Sequence, residues 1–170
     1  MKHISAQIRK MVPGEYGLLR KFLYQAIYLP EGIPPPPQTV IDLPELQVYL
    51  TGFGTQPGDY CLVAEAEDAI VGAAWSRIME DYGHIDRSTP SLAISMLPDY
   101  RGLGIGTQLL NRLLLLLQEN GYLQVSLSVQ KENPALRLYK RAGFRILAEK
   151  DSEYLMLWDV AKHTDMEATP

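Results

Sequence analysis

Cysteine, histidine and basic residues are all scarce in this chain of 170 residues. A single cysteine, Cys61, excludes a disulfide within the chain. Sixteen Lys and Arg against 20 Asp and Glu give a net charge of −4, which argues against a nucleic-acid surface because such a surface needs a basic stripe. No apolar run is long enough to cross a bilayer, and residues 1–6 do not resemble a secretory signal. We therefore expect a cytoplasmic protein with no membrane partner, no nucleic-acid partner and no metal site.

The remaining composition is that of an ordinary globular protein, with 46% hydrophobic and 21% charged residues. This length suits one domain with a full hydrophobic core. We predict a single domain over residues 1–161 and a loose tail over residues 162–170.

Hydrophobic periodicity and turn residues predict the element order β-α-α-β-β-β-α-β-α-β-β. Hairpins alternate with crossovers in this order, so we predict a mixed sheet with helices on both faces, an α/β (α+β) fold. The predicted helices cover residues 15–28, 43–50, 105–120 and 134–142. The predicted strands cover residues 6–11, 60–66, 70–79, 92–97, 124–129, 144–149 and 154–160.

Three glycines within five residues, Gly102, Gly104 and Gly106, stand between a predicted strand and a leucine-rich helix. The free N–H groups and positive dipole end of a helix N-terminus bind phosphate, and Arg101 adds a cation beside them. A Walker loop would need a lysine before its Ser or Thr, and this loop has none. A dinucleotide-binding unit would need an acidic residue at the end of a second strand, about twenty residues on. Neither known phosphate loop fits, but a polyanionic cofactor does.

The pattern Arg-x-x-Gly-x-Gly at residues 101–106 resembles motif A of the GNAT superfamily of N-acetyltransferases. Residues 133–144 resemble motif B of that family, with Asn133, then Tyr139 six residues later, and a Gly-Phe exit. The resemblance covers residues 91–148. It implies a mostly antiparallel sheet of about seven strands whose two central strands splay apart, and acetyl-CoA (coenzyme A) as the cofactor.

The same resemblance implies how the cofactor would be held. Its pyrophosphate would lie on the N–H groups that follow Arg101, and its pantetheine arm would pair with the end of the preceding strand. Asn133 would hydrogen-bond to the arm, although an asparagine there serves equally well as a helix N-cap. The predicted cofactor-binding residues are Ile94, Met96, Leu97, Arg101, Gly102, Leu103, Gly104, Ile105, Gly106, Thr107, Asn133 and Tyr139.

The predicted chemistry is direct attack of a neutral amine on the thioester, without a covalent enzyme intermediate. Tyr139 would protonate the departing thiolate, and the backbone N–H of Met96 or Leu97 would polarise the thioester carbonyl. Many family members carry a glutamate on the strand before the glycine loop, but this chain has no carboxylate from residue 91 to residue 97. His84 and Asp86, in a polar loop, are candidate general bases, and water is the alternative.

The resemblance thus predicts acetyl transfer to the primary amine of a small-molecule or peptide acceptor. The acceptor pocket would be built from residues 24–39 and 80–86. The alternative is a non-catalytic module that binds acyl-CoA as a sensor or partner-binding subunit. The missing strand carboxylate favours this alternative, and Tyr139 favours the enzyme. Leu115 lies on an otherwise polar arc of its helix, which fits either a homodimer or an isolated exposed leucine.

Overall fold

Seven strands form one twisted sheet in the computed structural model, which describes residues 3–161. The strand order is β1-β2-β3-β4-β5-β7-β6. Every neighbouring pair is antiparallel except β4 and β5, which are parallel. The predicted mixed, mostly antiparallel sheet is therefore confirmed; the predicted tail over residues 162–170 lies outside the described residues. The strands are β1 Gln7–Lys10, β2 Tyr60–Ala66, β3 Ala69–Arg77, β4 Ser91–Met96, β5 Gln124–Gln130, β6 Arg145–Glu149 and β7 Glu153–Asp159.

Four α-helices occur at the predicted places, but the first two are shorter than expected. The first begins as a 3-10 helix, Pro13–Leu18, because Pro13 and two glycines weaken the α-helical start of that segment. The second is a single turn that follows another 3-10 helix, Gln38–Asp42. None of the helices between residues 3 and 161 is long and apolar enough to span a membrane. The helices are α1 Leu19–Ala26, α2 Pro44–Gln47, α3 Ile105–Glu119 and α4 Ala135–Ala142.

Helices cover both faces of the sheet, as predicted. On one face Phe22 of α1 packs with Trp75 in a first hydrophobic cluster. On the other face the leucine stripe of α3 packs with Leu92 and Met96 of β4 in a second, larger cluster that also takes in α4. Successive residues of a strand point to opposite faces, so each side of β4 belongs to a different cluster. Leu115 of α3 lies outside both clusters and is 49% exposed.

The two parallel strands at the centre of the sheet splay apart. β4 and β5 share one register pair, Ser91 with Ser126, at the beginning of both strands. Along the rest of their described lengths the strands diverge, so their carboxyl ends border a gap next to the start of α3. This confirms the predicted splay and leaves one edge of β4 without a neighbouring strand.

Candidate functional site

A cavity of about 850 Å³ lies at the open end of β4, within the usual range of small-molecule sites. Its walls are α1 with the loop that follows, the end of β4, the glycine loop with the start of α3, and the start of α4. Most of the residues predicted to bind the cofactor line this cavity. They are Ile94, Met96, Arg101, Gly102, Gly104, Gly106, Thr107, Asn133 and Tyr139.

Three of the predicted cofactor residues do not line the cavity. Ile105, the first residue of α3, is buried in the core, and Leu103 in the glycine loop is 40% exposed. The backbone N–H of Leu97 donates to the carbonyl of Val71 at 2.8 Å, which places it in the ladder between β3 and β4. A direct role for these three residues in cofactor binding stays a prediction.

The ladder also decides which N–H groups of β4 face the gap. In an antiparallel pair the hydrogen-bonding groups of successive residues point alternately toward and away from the partner strand. Because Leu97 bonds to β3, Met96 and Ile94 present their N–H and C=O groups to the open edge. These two residues are therefore placed to pair with an extended ligand.

The glycine loop turns the chain sharply and leaves donors at the start of α3. Gly102 and Gly104 have φ values of 73° and 81°, the left-handed region that glycine adopts without strain. The first helical bond runs from the N–H of Gln108 to the carbonyl of Gly104 at 3.3 Å. The N–H groups of Gly106 and Thr107 precede that bond and have no helical acceptor. The loop thus offers an anion-binding helix end to the cavity.

Arg101 links the end of β4 to the end of α1. Its Nε donates to the carbonyl of Met96 at 3.0 Å, and its Nη2 donates to the backbone carbonyl and the side-chain oxygen of Gln25 at 3.3 and 3.2 Å. The sequence pattern indicated only a cation beside a phosphate, and that role stays a prediction. The structure adds a bridge between two cavity walls. The contact between Arg101 and Gln25 was not anticipated because 76 residues separate them.

Helix α4 places one polar residue at its start and one tyrosine in its middle. The side-chain oxygen of Asn133 accepts a hydrogen bond from the N–H of Ala135 at 2.9 Å, so Asn133 caps the helix while it lines the cavity. Tyr139 is 8% exposed and packs edge-on against Phe144. Burial raises the pKa of Tyr139 to about 12, because water no longer solvates the phenolate. The phenol is therefore a neutral donor near neutral pH.

The two candidate bases in the loop between β3 and β4 lie outside the cavity lining. Asp86 is exposed, and its carboxylate accepts bonds from the N–H and hydroxyl of Ser88 at 2.8 and 2.9 Å. These bonds lower the pKa of Asp86 and give it a turn-capping role. His84 is partly buried, and its Nδ1 has no partner among the described residues. A role as general base for either residue stays a prediction.

A third residue of this loop, Asp81, lies in the segment predicted to hold the base, but the sequence did not single it out. Its Oδ1 accepts a hydrogen bond from the hydroxyl of Ser91 at 2.8 Å, and its Oδ2 accepts one from the hydroxyl of Tyr49 at 2.9 Å. Burial raises the pKa of Asp81 above its usual value, and burial together with this carboxylate raises the pKa of Tyr49. Asp81 therefore brings a carboxylate to the strand position where the sequence has none.

Helix α1 and the proline-rich segment form the wall opposite α4. Tyr24, Tyr28 and Pro35 all line the cavity. The hydroxyl of Tyr24 donates to the carbonyl of Pro36 at 2.6 Å, which ties the proline run to the helix. This wall is aromatic and apolar, and it is held in place. Residues 3–161 contain no group of three or more His, Cys, Asp or Glu side chains arranged to hold a metal ion.

Comparison with known proteins finds acetyltransferases both among similar sequences and among similar folds. The profile described as "Acetyltransferase (GNAT) domain" matches residues 57–146, more than half of the chain. N-alpha-acetyltransferase 50 of Danio rerio is 30% identical over 102 residues, which are 57% of this chain and 58% of that protein. Thialysine N-epsilon-acetyltransferase of Mus musculus is 32% identical over 109 residues, 59% of this chain and 64% of that protein. The chain thus spans less than two thirds of the length of either relative.

A solved structure extends the likeness to the whole fold. The PaiA N-acetyltransferase of Thermoplasma acidophilum, in complex with coenzyme A, superposes with a TM-score of 0.68 at 19% identity. The superposition covers 91% of this chain and 99% of the other. At this identity the match establishes the architecture, including the part of the sheet that the sequence matches do not reach.

Proposed function

Because the chain belongs to the GNAT acetyltransferase family, we propose that it transfers the acetyl group of acetyl-CoA to a primary amine of a small-molecule or peptide acceptor. The observation that carries this proposal is that the bare helix end at Gly106 and the buried phenol of Tyr139 line one cavity. One relative is named as an N-alpha- and the other as an N-epsilon-acetyltransferase, which supports an amine acceptor.

The residues of the cavity fit coenzyme A. A Cβ built on Gly106 would contact only Cγ of Met96, at 3.8 Å. The space beside Gly106 is therefore part of the cavity and is not filled by another side chain. The N–H groups of the first turn of α3 would hold the pyrophosphate. The open edge of β4 at Ile94 and Met96 would pair with the amides of the pantetheine arm. When bound, acetyl-CoA supplies the thioester whose acetyl group is transferred.

Two groups of the chain would stabilise charge during the transfer. The N–H of Met96 faces the gap and would donate to the carbonyl oxygen on which negative charge develops. Tyr139 would donate to the departing thiolate. A phenol with a pKa of about 12 is a weaker acid than a thiol near 8.5, so the main contribution of Tyr139 is a strong hydrogen bond to the thiolate.

The acceptor would approach along α1. Tyr24, Tyr28 and Pro35 give this side of the cavity flat apolar surfaces that suit the carbon skeleton of an amine. The chain's net charge of −4 also favours a cationic acceptor at long range.

The test is release of coenzyme A thiol from acetyl-CoA with a panel of primary amines and peptides. We expect the native chain to turn over at least one acceptor, and Tyr139→Phe to lower kcat by about 100-fold, the usual loss when one donor that stabilises developing charge is removed. Tyr122→Phe is the matched control because Tyr122 is a partly buried tyrosine, packed against Tyr60, that does not line the cavity. Binding of coenzyme A without thiol release above background would instead identify the sensor alternative.

A further inference from the structure

We propose that Asp81 is the proton acceptor that converts the incoming ammonium into the attacking amine. The inference rests on the proposed function and adds to it one residue of the loop 80–86 that the sequence did not distinguish from its neighbours. Its basis is that the carboxylate of Asp81 is fixed by Ser91 and Tyr49 at the base of the gap between β4 and β5.

Asp81 lies on the face of the sheet from which the acceptor would approach. Alternate residues of β4 share a face, so Ser91 and Ser95 point to the same side. The hydroxyl of Ser95 donates to the carbonyl of Phe22 at 2.6 Å, which identifies this side as the one covered by α1. The hydroxyl of Ser91, bonded to Asp81, points to the same side at the last paired position before the strands diverge.

The position of Asp81 is rigid because its partners are held from several directions. The indole N–H of Trp75 donates to the carbonyl of Tyr49 at 3.3 Å and fixes the backbone that carries the phenol. On the other side, Gly83 packs so closely on β5 that a Cβ there would lie 3.1 Å from Cα of Leu127. The hydroxyl of Ser126 donates to the carbonyl of Gly83 at 2.6 Å. The loop is therefore anchored to β4 through Asp81 and to β5 through Gly83.

The chemistry of the pocket favours proton uptake. Both side-chain hydrogen bonds to Asp81 come from neutral hydroxyls, so no bonded cation offsets the loss of solvation of its charge. Burial raises the pKa of Asp81, which makes this carboxylate a better base than an exposed one. The other titratable groups around the pair are His84, Tyr82 and Glu153. The backbone N–H of His84 donates to the backbone carbonyl of Asp81, and Tyr82 and Glu153 also raise the pKa of Tyr49.

A raised carboxyl pKa has a defined consequence for stability. The folded state binds the proton more tightly than the unfolded chain, so the stabilising effect is full below the unfolded pKa and is lost as pH rises through the folded pKa. Above its folded pKa the ionised Asp81 therefore lowers the stability of the fold.

An N–H bond of the ammonium breaks and an O–H bond forms on the Asp81 carboxylate. The proton passes along a chain of several waters, because Asp81 does not line the cavity and Ser91 lies about 10 Å along the strand from Ile94 of the cavity wall. The freed electron pair on nitrogen forms the new C–N bond, the C–S bond breaks, and its electron pair leaves on sulfur. The new amide nitrogen loses its second excess proton to solvent.

The decisive variant is Asp81→Asn, which keeps the size of the side chain and removes its basicity. We expect kcat to fall by about 100-fold near neutral pH and the acid limb of the pH–rate profile to disappear. Coenzyme A affinity should stay within about twofold of the native value, and Tm at neutral pH should not fall. Asp68→Asn, in the turn between β2 and β3, is the matched control and should behave as the native chain does.

A second variant tests the same role if Asp81→Asn does not fold. Tyr49→Phe removes one donor to the carboxylate, so it should move the acid limb to higher pH without abolishing it. Carbon-13 NMR of the side-chain carboxyl of Asp81 in the native chain should show a titration that coincides with that limb. A titration that does not coincide overturns the inference.

The remaining outcomes separate this inference from the proposed function. Native turnover together with an unchanged pH profile in Asp81→Asn overturns only the role of Asp81. Loss of the acid limb in His84→Gln or Asp86→Asn, with the limb intact in Asp81→Asn, assigns the base to one of those residues. No thiol release by the native chain with any amine overturns the proposed function, and the role of Asp81 with it.

Discussion

Gly72 of β3 lies directly opposite Met96 of β4, and the Met96 side chain fills the space that a Cβ at residue 72 would occupy. A Cβ built on Gly72 would lie 2.8 Å from Cε of Met96, closer than real Cβ contacts allow. The absence of a side chain at Gly72 thus sets the position of Met96, a residue of the cavity wall. The strand end that faces the gap depends on this packing.

We predict that Gly72→Ala destabilises the protein by about 1–3 kcal/mol, the usual cost of overpacking a core. The Met96 side chain must move, and the cavity it lines offers the nearest free space, so coenzyme A affinity should fall as well. Chemical denaturation and calorimetry measure the two effects. Gly17→Ala is the control, because nothing lies within 4 Å of a Cβ there. Unchanged affinity in Gly72→Ala would contradict the link to the cavity.

Gly106→Ala should separate stability from binding. Alanine favours a helix over glycine by about 1 kcal/mol, and the added methyl group meets only Met96 at an ordinary contact distance. Stability should therefore rise, whereas coenzyme A affinity should fall about tenfold because the methyl group stands where the phosphates would approach. Gln108→Ala, on the exposed side of the same helix, should leave affinity unchanged. Equal affinity in both variants would refute the phosphate site.

Tyr139 should make the stability of the fold depend on alkaline pH. Its pKa is about 12 in the folded protein and near 10 in the unfolded chain, so its stabilising effect is complete below pH 10 and disappears as pH rises through 12. Between these values the native chain should lose up to about 3 kcal/mol more than Tyr139→Phe loses. Urea denaturation at several pH values measures the difference. Parallel losses in the two proteins would show that the phenol is not buried.

The buried ion pair of Arg77 and Asp59 should contribute far more to the free energy of unfolding than an exposed ion pair does. Their side chains are 4% and 1% exposed, and Arg77 also donates to the carbonyls of Val48 and Thr51. Arg77→Met leaves the buried charge of Asp59 without its cation and removes a donor from two carbonyls, so we expect a loss of about 3–5 kcal/mol.

The control for that prediction is Arg20→Met, which removes the exposed pair with Asp42. This change should cost about 0–1 kcal/mol, since water screens exposed charges. Urea denaturation gives both values. Similar losses in the two variants would mean that the interior pair is solvated.

The parts of the fold that the sequence predicted well are those encoded by neighbouring residues. The order of the strands and helices and the glycine loop before α3 follow from local periodicity and turn residues. The splayed centre was implied by the family resemblance that the two motifs carry. The lengths of the first two helices were wrong, because proline and glycine favour 3-10 turns at Pro13–Leu18.

The parts that escaped prediction depend on contacts between distant segments. Asp81 meets Tyr49 across 32 residues, and Arg101 meets Gln25 across 76. No spacing rule links such positions, since the sheet brings them together only after α1, α2 and the loop have packed. The pattern of residues 91–97 showed that a carboxylate was missing from β4, but only the folded loop shows where one is provided.

The single register pair between β4 and β5 has a mechanical consequence. Strands β1 to β4 form one half of the molecule and strands β5 to β7 the other, and Ser91 with Ser126 is their one shared rung. An acyl donor that pairs with the open edge of β4 would restrict movement between β4 and β5. It would thereby fix the part of the cavity that the second substrate contacts. Catalysis should accordingly follow a compulsory order, with the thioester taken up first and the nucleophile second.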